Sequence, residues 1–192
     1  NNSYDVDYKN NLILAEGAEF SLQDFMIFGS HNAKNVISAI AATNVNGASI
    51  EESINALKSF QGVKRRLELK YQDSSIIIID DFAHHPTAIK YSIDAVRKKF
   101  KDSKIIGLIE LGSNTMSDGI HGDSLVKAAS DLDSVIWIDE KGVLLESSNT
   151  TFASDTLCIN ALKKDLKKYD ILLIMTNKNS ERLWKPIIEY IQ

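Results

Sequence analysis

The larger part of this chain is predicted to fold as α/β, a mostly parallel sheet covered by helices, and two observations predict it. From Leu67 onward, strand-like and helix-like segments alternate, the rhythm of parallel sheets, in which each crossover returns over the sheet as a helix. Several strand-like runs are also apolar throughout, such as SIIIID and DILLIMT, as burial on both faces requires. The 192 residues are 44% apolar and 25% charged. These are ordinary globular values that argue against disorder, collagen-like repeats and membrane spans.

Upstream of Leu67 the pattern differs. NLILAE and FSLQDFMIFG flank a turn-like AEGAE and read as two strands of a hairpin. HNAKNVISAIAATNVNG places Val36, Ile37, Ile40 and Ala41 at helical spacing and stops at Asn46-Gly47, which predicts a helix of about three turns. ASIEESINALKSF predicts a second helix, with Ser49 as its cap and Glu52 three residues on as in a capping box. The change of rhythm sets a domain boundary at 66–67, with one region over 1–66 and another over 67–192.

In the second region, strands are read at 75–80, 104–111, 133–139, 157–160 (LCIN) and 170–176. Helices lie between them. PTAIKYSIDAVRKKF carries Pro86 at a first-turn position and apolar residues at Ile89, Ile93 and Val96. HGDSLVKAASDL and NSERLWKPIIEYIQ are less regular, and Pro186 is expected to kink or restart the last helix. The lysine-rich KKDLKKYD marks a solvated helix end.

Charge and cysteine content narrow the functional classes. A formal charge of -4 and a pI near 5.6 give no basic footprint for nucleic acid, so an acidic ligand must be met by local positive potential. The single Cys158 cannot form an internal disulfide and is expected in the core of a protein from a reducing compartment. The N-terminal stretch has neither a basic n-region nor a continuous apolar h-region, and IIII at 76–79 is far too short to span a bilayer. A cytoplasmic location with no membrane partner is expected. The polar start without an initiator Met is that expected of an excised fragment whose missing part lies upstream.

The densest chemistry is Asp80-Asp81-Phe82-Ala83-His84-His85-Pro86-Thr87, where a buried strand gives way to a helix. In open α/β sheets that edge is where ligands bind. Carboxylates there can accept ribose hydroxyls or hold a cation. Histidines can donate to phosphate, and a helix start offers unpaired N–H groups to an anion. A structural reading stands beside this one: Asp80 or His85 caps the helix and the remaining polar groups are solvated loop. A binuclear metal site finds no companion His or Asp cluster elsewhere, and no metal ligands are assigned.

Just upstream, Lys64-Arg65-Arg66 concentrates positive charge at the boundary, where an arginine can grip a phosphate bidentately or simply decorate a solvated face. His31 and Asn32 stand at a helix start, where Asn can cap or present an amide to a purine edge.

GSHNAKNVISAIAA, ALKSFQGVKRRLE and IIIDDFAHHPTAI occur in the order and spacing of the Mur ligases that extend UDP-N-acetylmuramate, and the chain resembles that family over essentially its whole length. LIELGSNTMSDGIH at 108–121 resembles the branch that adds L-Ala-γ-D-Glu-meso-diaminopimelate more than the branch that adds L-alanine.

The resemblance implies a three-domain parent. Residues 1–66 would be the end of its central ATPase domain, and 67–192 its Rossmann-like C-terminal domain with helices on both faces. The phosphate loop, G-x-x-x-x-G-K-[ST], is not found in these residues, and the resemblance places it, with the N-terminal domain, upstream. It implies ATP and Mg²⁺ as cofactors, and UDP-N-acetylmuramate and the murein tripeptide as substrates joined through an acyl phosphate. His31 and Asn32 would lie near the adenine, Arg66 would reach ATP, and Asp81 would lie near the ribose. His84 and His85 would face the reaction centre, and Ser113, Asn114 and Thr115 would contact the incoming peptide or form a self-satisfied turn. Two departures stand out. Glu110-Leu111-Gly112 replaces a common Glu-Pro-Arg, and Thr176-Asn177-Lys178-Asn179-Ser180 replaces a glycine-rich turn, with Lys178 available as a substitute charge.

Overall fold

The structure, a computed structural model, describes residues 3–25, 29–60, 62–113, 118, 122–144 and 150–192. The chain forms two compact units, Asn1–Val63 and Lys64–Gln192.

In the first unit, β1 (Tyr4–Asp7), β2 (Leu12–Ala15) and β3 (Ala18–Ser21) form an antiparallel sheet in that order. The β2–β3 turn is Glu16-Gly17, with φ of 50° and 87°, the two positive angles that a two-residue hairpin matching the strand twist demands. The hairpin is shorter than its sequence pattern, because a 3-10 turn at Leu22–Asp24 follows Ser21. Helix α1 (Ser30–Val45) is 16 residues long, about a turn more than predicted. Helix α2 (Ile50–Ser59) starts with the expected capping box: Glu52 N–H donates to Ser49 Oγ, and the Glu52 carboxylate accepts from Ser49 N–H at 2.8 Å. Ile13, Ala15, Phe25, Val36, Ile40 and Ile54 make this unit's core.

The second unit is a six-stranded sheet in the order β4-β5-β9-β6-β7-β8, built from β4 (Glu68–Gln72), β5 (Ile77–Asp81), β6 (Ile105–Glu110), β7 (Ser134–Ile138), β8 (Thr151–Phe152) and β9 (Ile171–Met175). All neighbours are parallel except the edge pair β4–β5. Helices α3 (Pro86–Lys99), α4 (Gly122–Ala128), α5 (Asp155–Asp165) and α6 (Glu181–Ile191) cover it.

Strand parity assigns the helices to faces. Ile78, Ile106, Leu108, Ile136, Ile138, Leu172 and Ile174 pack with Cys158, Leu162, Leu183 and Ile187 of α5 and α6. The alternate residues Ile79, Ile105, Ile109, Trp137 and Leu173 are equally buried and so face the other way. There the Ser92 hydroxyl of α3 reaches Asp81. This is the Rossmann-like sheet with helices on both faces.

One expectation needs correction. LCIN at 157–160 is not a strand but the middle of α5. Its apolar residues continue as Cys158, Ile159, Leu162 and Leu166, all buried, a helical recurrence that four residues alone do not reveal. Of the two outcomes expected at Pro186, a restart does not occur: the last helix runs through it from Glu181 to Ile191. The units divide at 63/64, three residues before the change of rhythm, because the Arg65 carbonyl accepts from Phe82 N–H at 2.8 Å and Leu67 is core.

Candidate functional site

The four central strands end on one side, and the charged residues gather there. β5 ends in Asp80-Asp81, β6 in Glu110, β7 just before Asp139, and β9 just before Thr176. The four acidic side chains are almost fully buried, so each needs a donor or carries a penalty.

Asp81 is held by three protein donors. Oδ2 accepts from Leu67 N–H at 2.8 Å, and Oδ1 accepts from Ala83 N–H at 2.8 Å and the Ser92 hydroxyl at 3.0 Å. It fastens the turn before β4, the loop after β5 and helix α3 together. Asp80 accepts from the Ser180 hydroxyl at 2.6 Å and lies 3.7 Å from Arg65 Nε, while its Oδ1 has no hydrogen-bond partner. Burial pushes the Asp80 carboxyl above the usual range, against the Ser180 hydroxyl and the Arg65 charge. Arg65 turns inward and donates to the Thr176 carbonyl.

Arg66 differs from Arg65 in being exposed. Its guanidinium lies 5.8 Å from the Phe82 ring centroid, and no carboxylate is paired with it among the described residues. The chain forces this contrast, because Arg65 and Leu67 on either side both adopt left-handed angles, φ 58° and 50°.

The two histidines separate as well. His84 is half-buried, and its Nδ1 donates to the Phe82 carbonyl at 2.9 Å. Its ring meets Phe82 edge-on, with centroids 5.1 Å apart. His85 is exposed and caps α3, its Nδ1 accepting from Thr87 N–H at 3.4 Å. The capping alternative therefore holds for His85 and not for Asp80. Arg66, Asp81, His84 and His85 come together around Phe82 and the start of α3.

Beside them, Glu110 accepts from the Thr176 hydroxyl and from Arg182, both at 2.5 Å. Lys178 Nζ lies 3.1 Å from both Glu110 and Glu140. Burial pulls the Lys178 ammonium down, but the two carboxylates outweigh it and its pKa lies above the ordinary lysine value. The two departures noted in the sequence meet here: a Cβ at Gly112 would stand 2.3 Å from Asn177 Oδ1. The side chain of Asn177 fills the space over residue 112. Ser113 follows directly and is half-buried, whereas Asn114 and Thr115 lie outside the described residues.

His31 and Asn32 belong to the first unit. Neither caps α1, because Gly29 holds that position with φ 96° and the helix already begins at Ser30. The Asn32 side-chain oxygen accepts from Asn35 Nδ2 at 3.4 Å. The side chain of His31 lies outside the described residues. Among the described residues no three His, Cys, Asp or Glu side chains are placed to hold a metal ion, and no helix is long and apolar enough to cross a membrane.

Sequence reasoning assigned no task to Phe82, Arg65, Thr176 or Ser180. Phe82 stood inside the motif, and its position between the basic triplet and the histidines was the available signal. For Thr176 and Ser180 no local signal existed, since their partners lie about a hundred residues away in the chain.

Comparison with known proteins gives a consistent picture. Residues 65–177 match the family described as Mur ligase, glutamate ligase domain. The UDP-N-acetylmuramate–L-alanyl-γ-D-glutamyl-meso-2,6-diaminoheptandioate ligase of Haemophilus influenzae is 42% identical over 113 residues, 58% of this chain and 25% of that protein. The UDP-N-acetylmuramate–L-alanine ligase of Christiangramia forsetii is 34% identical over 139 residues, 71% of this chain and 29% of that protein. The crystal structure of a murein peptide ligase from Psychrobacter arcticus superposes with a TM-score of 0.67 at 29% identity, covering 98% of this chain and 43% of that one. The chain thus spans less than half the length of each of these relatives.

Proposed function

Starting from a chain that belongs to the Mur ligase family, we propose that it is the closing part of an ATP-dependent ligase. That ligase joins UDP-N-acetylmuramate to L-Ala-γ-D-Glu-meso-diaminopimelate in peptidoglycan recycling. The observation that carries this reading is Arg66, an exposed guanidinium with no carboxylate partner among the described residues, set beside His84 and the start of α3 at the carboxyl end of β5. A cation, an imidazole and a helix N-terminus in one place are what a phosphate group requires.

ATP would supply the phosphoryl group that turns the muramyl carboxylate into an acyl phosphate. Arg66 would grip phosphate oxygens, and the imidazole Nε2 atoms of His84 and His85 would face the phosphates or the incoming amine. Asp81 acts in this reading by holding the loop rather than by touching ribose, because both its oxygens already accept from the protein. Residues 1–63 are read as the end of the central ATPase domain, with His31 and Asn32 toward the adenine. Ser113, with Asn114 and Thr115, is read as the contact to the peptide. Among the described residues no set of three ligating side chains converges on a site for Mg²⁺. The mechanism uses none of these residues as its ligands.

The substrate assignment favours the tripeptide because the tripeptide-adding relative is more similar, 42% against 34%. The L-alanine ligase is the second reading, favoured by the greater share of this chain that its relative matches. Assay of the full-length protein with UDP-N-acetylmuramate and ATP, offered free L-alanine or the tripeptide, separates the two. Turnover with tripeptide alone is expected, and turnover with L-alanine alone would replace the reading. In the same assay Arg66→Ala is expected to raise the ATP requirement and lower turnover with the fold intact; unchanged kinetics would remove Arg66 from the site.

A further inference from the structure

Phe82 stands at the centre of the charged groups of this loop. Its N–H donates to the Arg65 carbonyl at 2.8 Å, and its carbonyl accepts from His84 Nδ1 at 2.9 Å. Its ring centroid lies 4.8 Å from the Arg65 guanidinium carbon and 5.8 Å from that of Arg66. The His84 imidazole meets the ring at 78°. The side chain is only partly buried, so filling the core does not account for an aromatic here.

The face of an aromatic ring carries negative charge density, and guanidinium groups are drawn to it. A long exposed arginine otherwise samples many rotamers, and all of that freedom is lost when it grips a ligand. Arg66 has no other partner among the described residues, so the ring is what limits its sampling before a ligand arrives. We infer that Phe82 is a positioning residue: its ring holds the Arg66 guanidinium, against the same surface that carries His84, in the orientation from which it meets the nucleotide phosphates. The inference rests on the nucleotide reading of Arg66 and adds to it the residue through which Arg66 is aimed. Leucine at position 82 keeps the apolar bulk and both backbone hydrogen bonds but removes the ring face, whereas tyrosine keeps the face.

The test is the ATP dissociation constant of the full-length protein, measured by calorimetry for Phe82→Leu, Phe82→Tyr, Arg66→Ala and the Phe82→Leu/Arg66→Ala double variant, with melting temperatures alongside. Phe82→Leu is expected to weaken ATP binding about threefold to tenfold, Phe82→Tyr to stay within about twofold of the parent, and Phe82→Leu to add nothing once Arg66 is gone. If Phe82→Leu weakens binding by the same factor with and without Arg66, or does not weaken it at all, the positioning role is overturned while Arg66 keeps its own. If Arg66→Ala leaves ATP binding unchanged, the nucleotide reading of Arg66 falls first and the positioning role falls with it.

Discussion

His84 and His85 are neighbours in sequence with opposite hydrogen-bonding states. A carbonyl only accepts, so the contact of His84 Nδ1 with the Phe82 carbonyl fixes the Nδ1–H tautomer when the ring is neutral and leaves Nε2 as a lone-pair acceptor. His85 Nδ1 accepts from Thr87 N–H, which puts the neutral ring's proton on Nε2. At a pH where both rings are neutral, ¹⁵N spectra are expected to show protonated Nδ1 for His84 and protonated Nε2 for His85; matching tautomers would contradict the arrangement. The motif announced two histidines facing a ligand but not this division, because the division depends on which backbone group each ring meets. Asp80 adds a pH dependence. Its folded-state pKa is raised by burial, so the folded protein holds a proton that the unfolded chain releases. The associated stability is present below the unfolded carboxylate range and is lost as pH rises through the raised value. Asp80→Asn is expected to flatten this part of the stability–pH curve, as thermal melts at acid and neutral pH will read.

At the level of elements, Asp81 links three pieces that local sequence treats as separate: the turn before β4, the end of β5 and helix α3. Asp81→Ala would strand two buried backbone N–H groups and a hydroxyl, and is expected to cost about 3 kcal/mol, read by denaturant unfolding. The elements most legible in the sequence were those carrying their own local signals. The Ser49–Glu52 capping box, Pro86 at the start of α3 and the apolar runs of β5, β6 and β9 all fall close to where they were read. Those missed had signals spread over distance. LCIN is four residues of a helical stripe, and β4 is an edge strand interrupted by a bulge between Leu69 and Tyr71, which hides its alternation. The acidic strand ends were visible as residues, but whether each carboxylate faces a ligand or the protein depends on partners such as Ser92, Thr176 and Ser180, supplied by other elements.

For the whole chain, two units with separate cores predict that Lys64–Gln192 folds alone. Expressed by itself, it is expected to melt cooperatively and to keep Cys158 inaccessible to thiol reagents. That cysteine is fully buried, and burial pushes its thiol up to about 12. Rapid labelling of the folded piece would show that its core depends on residues 1–63.

The turn that carries Arg66 has a property that no exchange of residue type removes. Positions 65 and 67 hold φ values that suit glycine, at about 1 kcal/mol each for other residues. Glycine at 65 would lose the reach to the Thr176 carbonyl, and at 67 a core side chain. Backbone and side-chain preferences are thus in conflict at two sites with one residue between them, a local frustration. The contacts to Asp81 and to the Thr176 carbonyl that fasten the turn are what hold this strained backbone in place.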